Sequence, residues 1–422
     1  MNSVYVFGSW HQGFVIAGVL AKNNFHVTCV VNSEEDRMKY LGLEFPVFEP
    51  GLTELLDLGI NSGKIEFVLR SNVKIGSDSV VFLAHDTKVD EEDNSDLSEF
   101  ESDLAFLLEF NNSFFQIIIT AQIPVGTYGE VVQKYPSVTT KHLDRISIMP
   151  ENLRLGKAIE RFENPPLPVV GCAINNQSFW QTFFSFTNEV FYFCTPTEAE
   201  LLKHALNSYL ALGISFGNEV HRIGTVVGAD GNLVMKLLEL EPRIGDLNPK
   251  RPGLPFFGGT LARDLVSLDK VASKACISTP VIKGTLKSNE SQKQYVLNKI
   301  LSNECFIKSA VSSVCVIGLT YTAETSTLRR SPGLWLMEEL IARGFKVTAY
   351  DPRVSGAMSS FKICAEISEI SAYKIDCFIL VSPWKGFIDE VSQLVKSEFF
   401  IDIESHLLQS GVALPTNYSR IF

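Results

Sequence analysis

The chain has 422 residues, 45% of them hydrophobic and 20% charged. At roughly 100–200 residues per domain this suggests about two to four cored domains and excludes a disordered or fibrous chain. The net charge of −11, from 37 Lys+Arg against 48 Asp+Glu, leaves no basic footprint for nucleic acid, and the apolar stretch 113–125 falls short of the about 20 residues that span a bilayer.

Short β-rich runs open the chain: Val4-Tyr5-Val6-Phe7, Val27-Thr28-Cys29-Val30-Val31, Val80-Val81-Phe82-Leu83 and Ile117-Ile118-Ile119-Thr120. Several are separated by helical patterns. Continuous apolar strands of this kind belong in a parallel sheet covered on both faces. The acidic stretch 90–103 reads as a loop followed by a helix start. From Thr197 the period changes, and 197–224 predicts one long helix whose start, Thr197-Glu198-Ala199-Glu200, can cap it. A Pro/Gly-rich loop over 248–259 interrupts the next helical stretch. Val314-Cys315-Val316-Ile317-Gly318 then begins a second strand–helix–strand unit, with a helix over 332–343 and a strand over 346–350 ended by Asp351-Pro352. The fold expected is α/β: two Rossmann-like doubly wound parallel-sheet domains joined by a long central helix, divided as 1–195, 196–298 and 299–422. Met1 leads into a strand with no basic segment, so no signal peptide is expected. The eight cysteines (Cys29, Cys172, Cys194, Cys276, Cys305, Cys315, Cys364, Cys377) are scattered without C-x-x-C. They read as reduced thiols of a cytoplasmic protein, without disulfides or a metal site.

The first strand runs into Gly8-Ser9-Trp10-His11-Gln12-Gly13. In G-x-G-x-x-G the first Gly turns the chain, the second admits the pyrophosphate and the third packs helix on strand. Gly8 and Gly13 fit; Trp10 stands at the second position. The second strand ends at Asn32, with no ribose-binding carboxylate before Glu34. Two readings stay open at this turn: a dinucleotide site of altered geometry, or a Rossmann unit kept for its fold.

Further on, Lys203 and Asn207 lie one turn apart on the long helix. If a helix begins after Gly259, Thr260 and Asp264 share a face too. His85 and His204 are weaker acid/base candidates, since a lone His is more often structural.

These residues, in this order, resemble the UDP-glucose/GDP-mannose (nucleotide-sugar) 6-dehydrogenase family over essentially the whole chain. The markers are Phe45-Pro46-Val47-Phe48-Glu49-Pro50-Gly51-Leu52, Ile123-Pro124-Val125-Gly126-Thr127, Pro150-Glu151-Asn152-Leu153-Arg154-Leu155-Gly156, Pro242-Arg243-Ile244-Gly245, the Arg251-to-Asp264 loop, Arg329-Arg330-Ser331-Pro332 and Tyr350-Asp351-Pro352. The resemblance implies an NAD domain, a central dimerising helix and a C-terminal domain that helps bind a nucleotide-diphosphate sugar. It implies oxidation of the sugar C6 alcohol to a carboxylate in two hydride transfers through a Cys thiohemiacetal and thioester. It places Gly8, Trp10, Gly13, Asn32, Gln122 and Arg329 at the cofactor, and Leu153, Arg154, Arg251, Gly258 and Gly259 at the sugar nucleotide. Glu151, Lys203, Asn207, Thr260 and Asp264 become the catalytic positions: Lys and Asn for the oxyanion, Asp and Glu for water and proton transfer.

The departures are concentrated around the cofactor and the thioester. The position of the family's Cys falls on Thr260 or, with the Gly-Gly pair matched, on Leu261. The family's Thr before Ile-Pro is Gln122, and a second Glu expected at 155 is Leu155. Two functions follow: a nucleotide-sugar oxidoreductase with an altered, Cys-less site that does not complete the four-electron oxidation, or a non-catalytic nucleotide-sugar-binding or regulatory subunit. In either case a homodimer is expected, because the long helix carries apolar residues on more than one face.

Overall fold

The structure is a computed structural model describing residues 3–90, 95–108, 116–135, 143–187, 189–242, 244, 253–308, 311–321, 327–354, 362–370, 373–384, 386–387, 391, 399–410, 414 and 417–422. Its contacts divide the chain into two compact units. One is Met1–Leu206 with Val266–Ala275; the other is Asn207–Leu265 with Cys276–Phe422.

The first unit is built on an eight-stranded sheet. Its strands are β1 (Ser3–Phe7), β2 (His26–Val31), β3 (Ile65–Leu69), β4 (Val80–Leu83), β5 (Gln116–Ile119), β6 (Ile146–Ile148), β7 (Val169–Gly171) and β8 (Tyr192–Cys194). They lie in the order β3-β2-β1-β4-β5-β6-β7-β8. Every pair is parallel except β6 with β7, which meet antiparallel at Ile148 and Gly171. The continuous apolar runs have a direct cause. Side chains alternate across the sheet, and both faces are covered. Val4, Val6 and Phe82 pack into one core with Phe14 and Leu20 of the helix His11–Lys22. Phe7, Val81 and Leu83 pack into the other with Phe100 and Leu104 of the helix Ser98–Leu108. Phe82 is fully buried, and burying a side chain of that size stabilises the fold by about 1.5–3 kcal/mol. The Phe-rich run near 183–186 is packing: Trp180 stacks on Phe184 at 5.1 Å between ring centroids.

The strand order reverses between β1 and β4. That is where a doubly wound sheet opens a crevice at the carboxyl ends of its strands. The turn after β1 and the segment after β4 are therefore placed side by side, and Ala84 donates its N–H to the Phe7 carbonyl at 2.8 Å.

The second unit carries a six-stranded, wholly parallel sheet. Its strands β9 (Ser313–Ile317), β10 (Lys346–Tyr350), β11 (Lys362–Cys364), β12 (Cys377–Leu380), β13 (Phe399–Asp402) and β14 (Tyr418–Arg420) run in the order β11-β10-β9-β12-β13-β14. The same reversal occurs between β9 and β12. The architecture is α/β, with two Rossmann-like sheets and a long helix, Pro196–Val227, of 32 residues. The helix outruns the expected 197–224 because Gly224 lies inside it; the chain leaves the helix at Gly228, at φ +74°.

The helix Pro280–Leu301 buries Thr285, Ser288, Asn289 and Gln292. Two of these polar residues hold the buried loop that begins at Gly253. Asn289 accepts from the Phe256 N–H at 2.8 Å and donates to its carbonyl at 3.0 Å; Gln292 donates to the Gly253 carbonyl at 2.7 Å. A buried loop has no ladder of its own, so side chains satisfy its backbone. Among the described residues no helix is long and apolar enough to cross a membrane, and no cluster of His, Cys, Asp and Glu could hold a metal ion.

Candidate active site

The turn after β1 has the backbone that two of its glycines demand. Gly8 lies at φ +112°, and a Cβ there would overlap the Ala84 carbonyl; a Cβ on Gly13 would overlap the Gly8 carbonyl. Trp10, in place of the second glycine, is extended at φ −135° and 39% exposed. It is the N-cap of the helix His11–Lys22. Its side chain makes no cap hydrogen bond, and the first turn of the helix carries no acid. A helix start left uncapped and uncompensated offers N–H groups and a positive dipole end to an anion, which fits a pyrophosphate. Ser9 donates its hydroxyl to the Val30 carbonyl at 3.3 Å and so ties the turn to the end of β2. Asn32, just beyond β2, is exposed. Gln122 is half-buried, and its carbonyl accepts from the Thr87 hydroxyl at 2.9 Å.

Two quoted motifs meet beside this turn through a residue with no role assigned from the sequence. Glu49, 2% exposed, pairs with His11 Nε2 at 2.8 Å and accepts from the Gly156 and Ala158 N–H groups at 2.9 Å each. Burial pushes its carboxyl up, but the His11 bond and the two backbone donors outweigh that and hold it below the usual range. Its motif was the available signal, but the partners lie 38 and more than 100 positions away.

In the same unit Lys203 reaches across to the Glu151 segment. Its ammonium donates to the Glu151 carbonyl, lies 3.4 Å from Asn152 Oδ1 and is 3.7 Å from a Glu151 carboxylate oxygen. The other Glu151 oxygen accepts from the Leu153 N–H. Leu153 packs on the first core, whereas Arg154 is exposed. Glu200, missed in the sequence beyond its capping role, is 2% exposed and accepts from Gly126 and Tyr128 N–H groups at 2.7 Å each. It caps the helix Thr127–Lys134. Burial raises its carboxyl, with the two backbone bonds opposing. His204 Nε2 bonds the Ile123 carbonyl at 2.8 Å. His85 is buried against Asp103 at 2.9 Å. Both histidines are held as parts of the fold.

The second unit brings together the other polar candidates. The helix Thr260–Lys274 begins at Thr260, so Thr260 and Asp264 do share a face. Asp264 is fully buried; it accepts from Asn207 Nδ2 and lies 3.5 Å from Arg263 Nε. Thr260 is half-buried and Gly259 buried. Gly258, at φ +80°, lies where a Cβ would crowd the Tyr321 ring, and its N–H bonds the Arg330 carbonyl at 2.9 Å. Arg329 is exposed. Arg251 lies outside the described residues, as do Arg243 and Gly245 of the Pro242 motif.

The thiols are placed unfavourably for nucleophilic work. Cys29, Cys172, Cys315, Cys364 and Cys377 are buried and Cys194 is half-buried. Burial pushes the Cys29 thiol up to about 12 and Cys172 to about 11, the reverse of nucleophile activation. Cys276 is exposed, but it follows the far end of the 15-residue helix that Thr260 begins, about 22 Å long. The Cys305 side chain lies outside the described residues.

Residues 2–187 match the NAD binding domain of the UDP-glucose/GDP-mannose dehydrogenase family, 197–291 its central domain and 315–409 its UDP binding domain. The chain is 25% identical to a UDP-glucose 6-dehydrogenase of Rhizobium meliloti (strain 1021), covering 97% of each. It is 27% identical to a GDP-mannose 6-dehydrogenase of Pseudomonas savastanoi pv. phaseolicola, over 84% of this chain and 82% of that one. A solved UDP-glucose dehydrogenase from Pyrobaculum islandicum shares the fold at a TM-score of 0.83 and 22% identity, over 100% of this chain and 98% of that one. Matches to all three domains of one family, in order along the chain, settle the matter: this chain belongs to the UDP-glucose/GDP-mannose dehydrogenase family.

Proposed function

We propose that the chain is a nucleotide-sugar oxidoreductase with an altered, Cys-less site, which does not carry its substrate through the four-electron oxidation to a uronate. The observation that carries this reading is Thr260 at the head of its helix, next to the buried Asn207–Asp264 pair, with the exposed Cys276 at the helix's other end. A Thr hydroxyl needs an adjacent base to attack an aldehyde, and its ester leaves less readily than a thioester. The first step needs no covalent carrier. The C6 hydroxyl loses a proton and C6 loses a hydride, giving the aldehyde. Lys203 and Asn207 serve the developing oxyanion, and Glu151 and Asp264 the proton and water. The Gly8–Gly13 turn would hold the nicotinamide cofactor, which would supply the hydride acceptor. Trp10 at the second glycine position and Asn32 without a carboxylate weaken that binding relative to an ordinary fingerprint. Leu153, Arg154, Arg251, Gly258 and Gly259 are assigned to the sugar nucleotide, and Arg329 to the cofactor.

The three-part division 1–195, 196–298 and 299–422 belongs to this reading, as does a cytoplasmic homodimer. Leu201, Leu212, Phe216, Ile223 and Val227 form one exposed apolar stripe along the long helix, between 37% and 70% exposed. A second copy is its natural cover, and light scattering at micromolar concentration should return a dimer mass.

The test of the chemistry counts NADH per sugar. The chain is incubated with NAD and a panel of nucleotide-diphosphate sugars, and products are identified by mass. At most one NADH per sugar, without free uronate, is expected. Two NADH per sugar with uronate at enzyme-like turnover, unchanged in Thr260→Ala, would overturn the reading.

A further inference from the structure

At the carboxyl ends of β2 and β3 lies a cavity of about 540 Å³, lined by Asn32, Ser33, Glu34, Arg70, Ser71 and Phe106. The ladder pairs Val31 with Leu69, so the next residues along, Asn32 and Arg70, face each other across the two strand ends. In a doubly wound dinucleotide domain this is the place of the adenosine ribose. A carboxylate there takes the 2′-hydroxyl and repels a 2′-phosphate; an Arg accommodates the phosphate. Here the carboxylate position is an uncharged, exposed Asn, and the neighbouring strand is followed directly by an Arg.

Arg70 is built in. Its Nε lies 3.0 Å from Asp103 Oδ1, Nη1 donates to the Ser102 hydroxyl at 3.0 Å and Nη2 to the Ser102 carbonyl at 2.7 Å. Its guanidinium carbon lies 4.9 Å from the centre of the Phe106 ring. Asp103 is 7% exposed and is fixed in turn by buried His85 at 2.9 Å. A guanidinium has five N–H groups. Three are engaged among the described residues, so two remain for a ligand, with the side chain 30% exposed. The Glu34 carboxylate, also on the lining, is held by Arg37 at 2.7 Å. The Ser33 hydroxyl is spent locally: it accepts from the Asp36 N–H as the cap of the helix Glu34–Leu41 and donates to Asp36 Oδ2 at 2.6 Å.

We propose that Asn32 and Arg70 form a subsite for the 2′-phosphate of a phosphorylated dinucleotide, so that the chain prefers NADP to NAD. The proposal rests on the reading of the first sheet as a dinucleotide domain, and deepens it. The weak NAD site and the Arg-lined cavity are then two sides of one exchange: the ribose carboxylate is absent because a second phosphate takes its place.

The test is calorimetry on the full chain with NADP, NAD, 2′,5′-ADP and 5′-ADP, alongside quenching of tryptophan fluorescence, since Trp10 stands in the turn. NADP should bind at least about tenfold tighter than NAD, and 2′,5′-ADP should exceed 5′-ADP by a similar factor. Arg70→Ala should abolish that preference. Asn32→Asp, on an exposed residue that leaves the partners of Arg70 untouched, should reverse it. NAD binding as tightly as NADP, or a ratio that survives both substitutions, would overturn the subsite and leave the dinucleotide domain standing. Binding of none of the four would remove both.

Discussion

The two sheets meet their ligand-facing turns in opposite ways. After β1, the turn from Gly8 to Gly13 leads into a helix with no side-chain cap and no acid in its first turn. After β9, Gly318 lies at φ +82° against the Ser382 backbone, much as Gly8 lies against Ala84. There the likeness ends. Asp351, at the end of β10, turns its buried carboxylate inward and accepts from the Leu319 N–H at 2.8 Å and the Thr320 N–H at 3.1 Å. A third bond, from Arg353 at 2.9 Å, completes it. Burial raises that carboxyl, with the three backbone bonds opposing. The following helix is also closed: the Ser331 hydroxyl accepts from the Leu334 N–H at 3.2 Å. One topology thus yields a turn without a side-chain cap in the first unit and, among the described residues, a turn whose N–H groups Asp351 takes up in the second. An anion can dock on a helix start only where the N–H groups are not already taken.

Breaking the shared feature should have the largest effect. Gly318→Ala and Gly8→Ala each force a Cβ into a carbonyl at a left-handed φ, and each should cost of the order of 3 kcal/mol or more in urea unfolding. A cost below about 1 kcal/mol at either would show that the turn relaxes freely.

Asp351→Ala strands three N–H groups in the second turn and should cost about 2–3 kcal/mol, with Asp351→Asn recovering part of that loss. The corresponding change at Asn32 should leave stability within about 0.5 kcal/mol, because that side chain is exposed. Equal losses at the two positions would erase the distinction between plug and opening.

Glu49→Gln probes the support beneath the open turn, and its effect depends on pH. The folded-state carboxyl is held below its ordinary value of 4.5. Its stabilisation is therefore fully present above that value and is lost as pH falls through the lower folded value. The variant should be destabilised by about 1–3 kcal/mol at pH 7, and the gap to the parent should close in acid. A gap that widens below pH 4 would contradict the sign.

The smallest effect expected is at Trp10. Glycine caps a helix nearly as well as the residues that do so best. Trp10→Gly should therefore leave the fold alone and tighten dinucleotide binding by about fivefold, roughly 1 kcal/mol. Weaker binding in calorimetry would mean that the indole supports the cofactor instead of crowding it.

Much of this was legible in one sequence. Val80-Val81-Phe82-Leu83 is a strand of the same bounds in the structure, because a four-residue apolar run buried on both faces needs no distant information. The helix from Thr260 followed from the glycine loop before it, and the long helix from its period. The family followed from ordered motifs. The partners of those motifs were not legible. Lys203 was expected at the oxyanion; in the structure its ammonium binds the Glu151 carbonyl 52 positions away. Glu49 stood inside a quoted motif, and nothing in that motif points to His11 or Ala158.

By itself, then, the amino-acid order determined the strands, the helices, the handed βα turns and the family, since these depend on hydrophobic period and on residues only a few positions apart. Tertiary structure alone decided which carboxylates are spent within the fold. Asp351 and Glu200 stand at element ends in the sequence, and each is carried by its strand or helix onto backbone N–H groups 31 or more positions away. Asn32 and Arg70 became neighbours in the same way, through the β2–β3 ladder. Short-range pattern encodes an element; only the packing of elements brings a charge to its partner or leaves it free for a ligand.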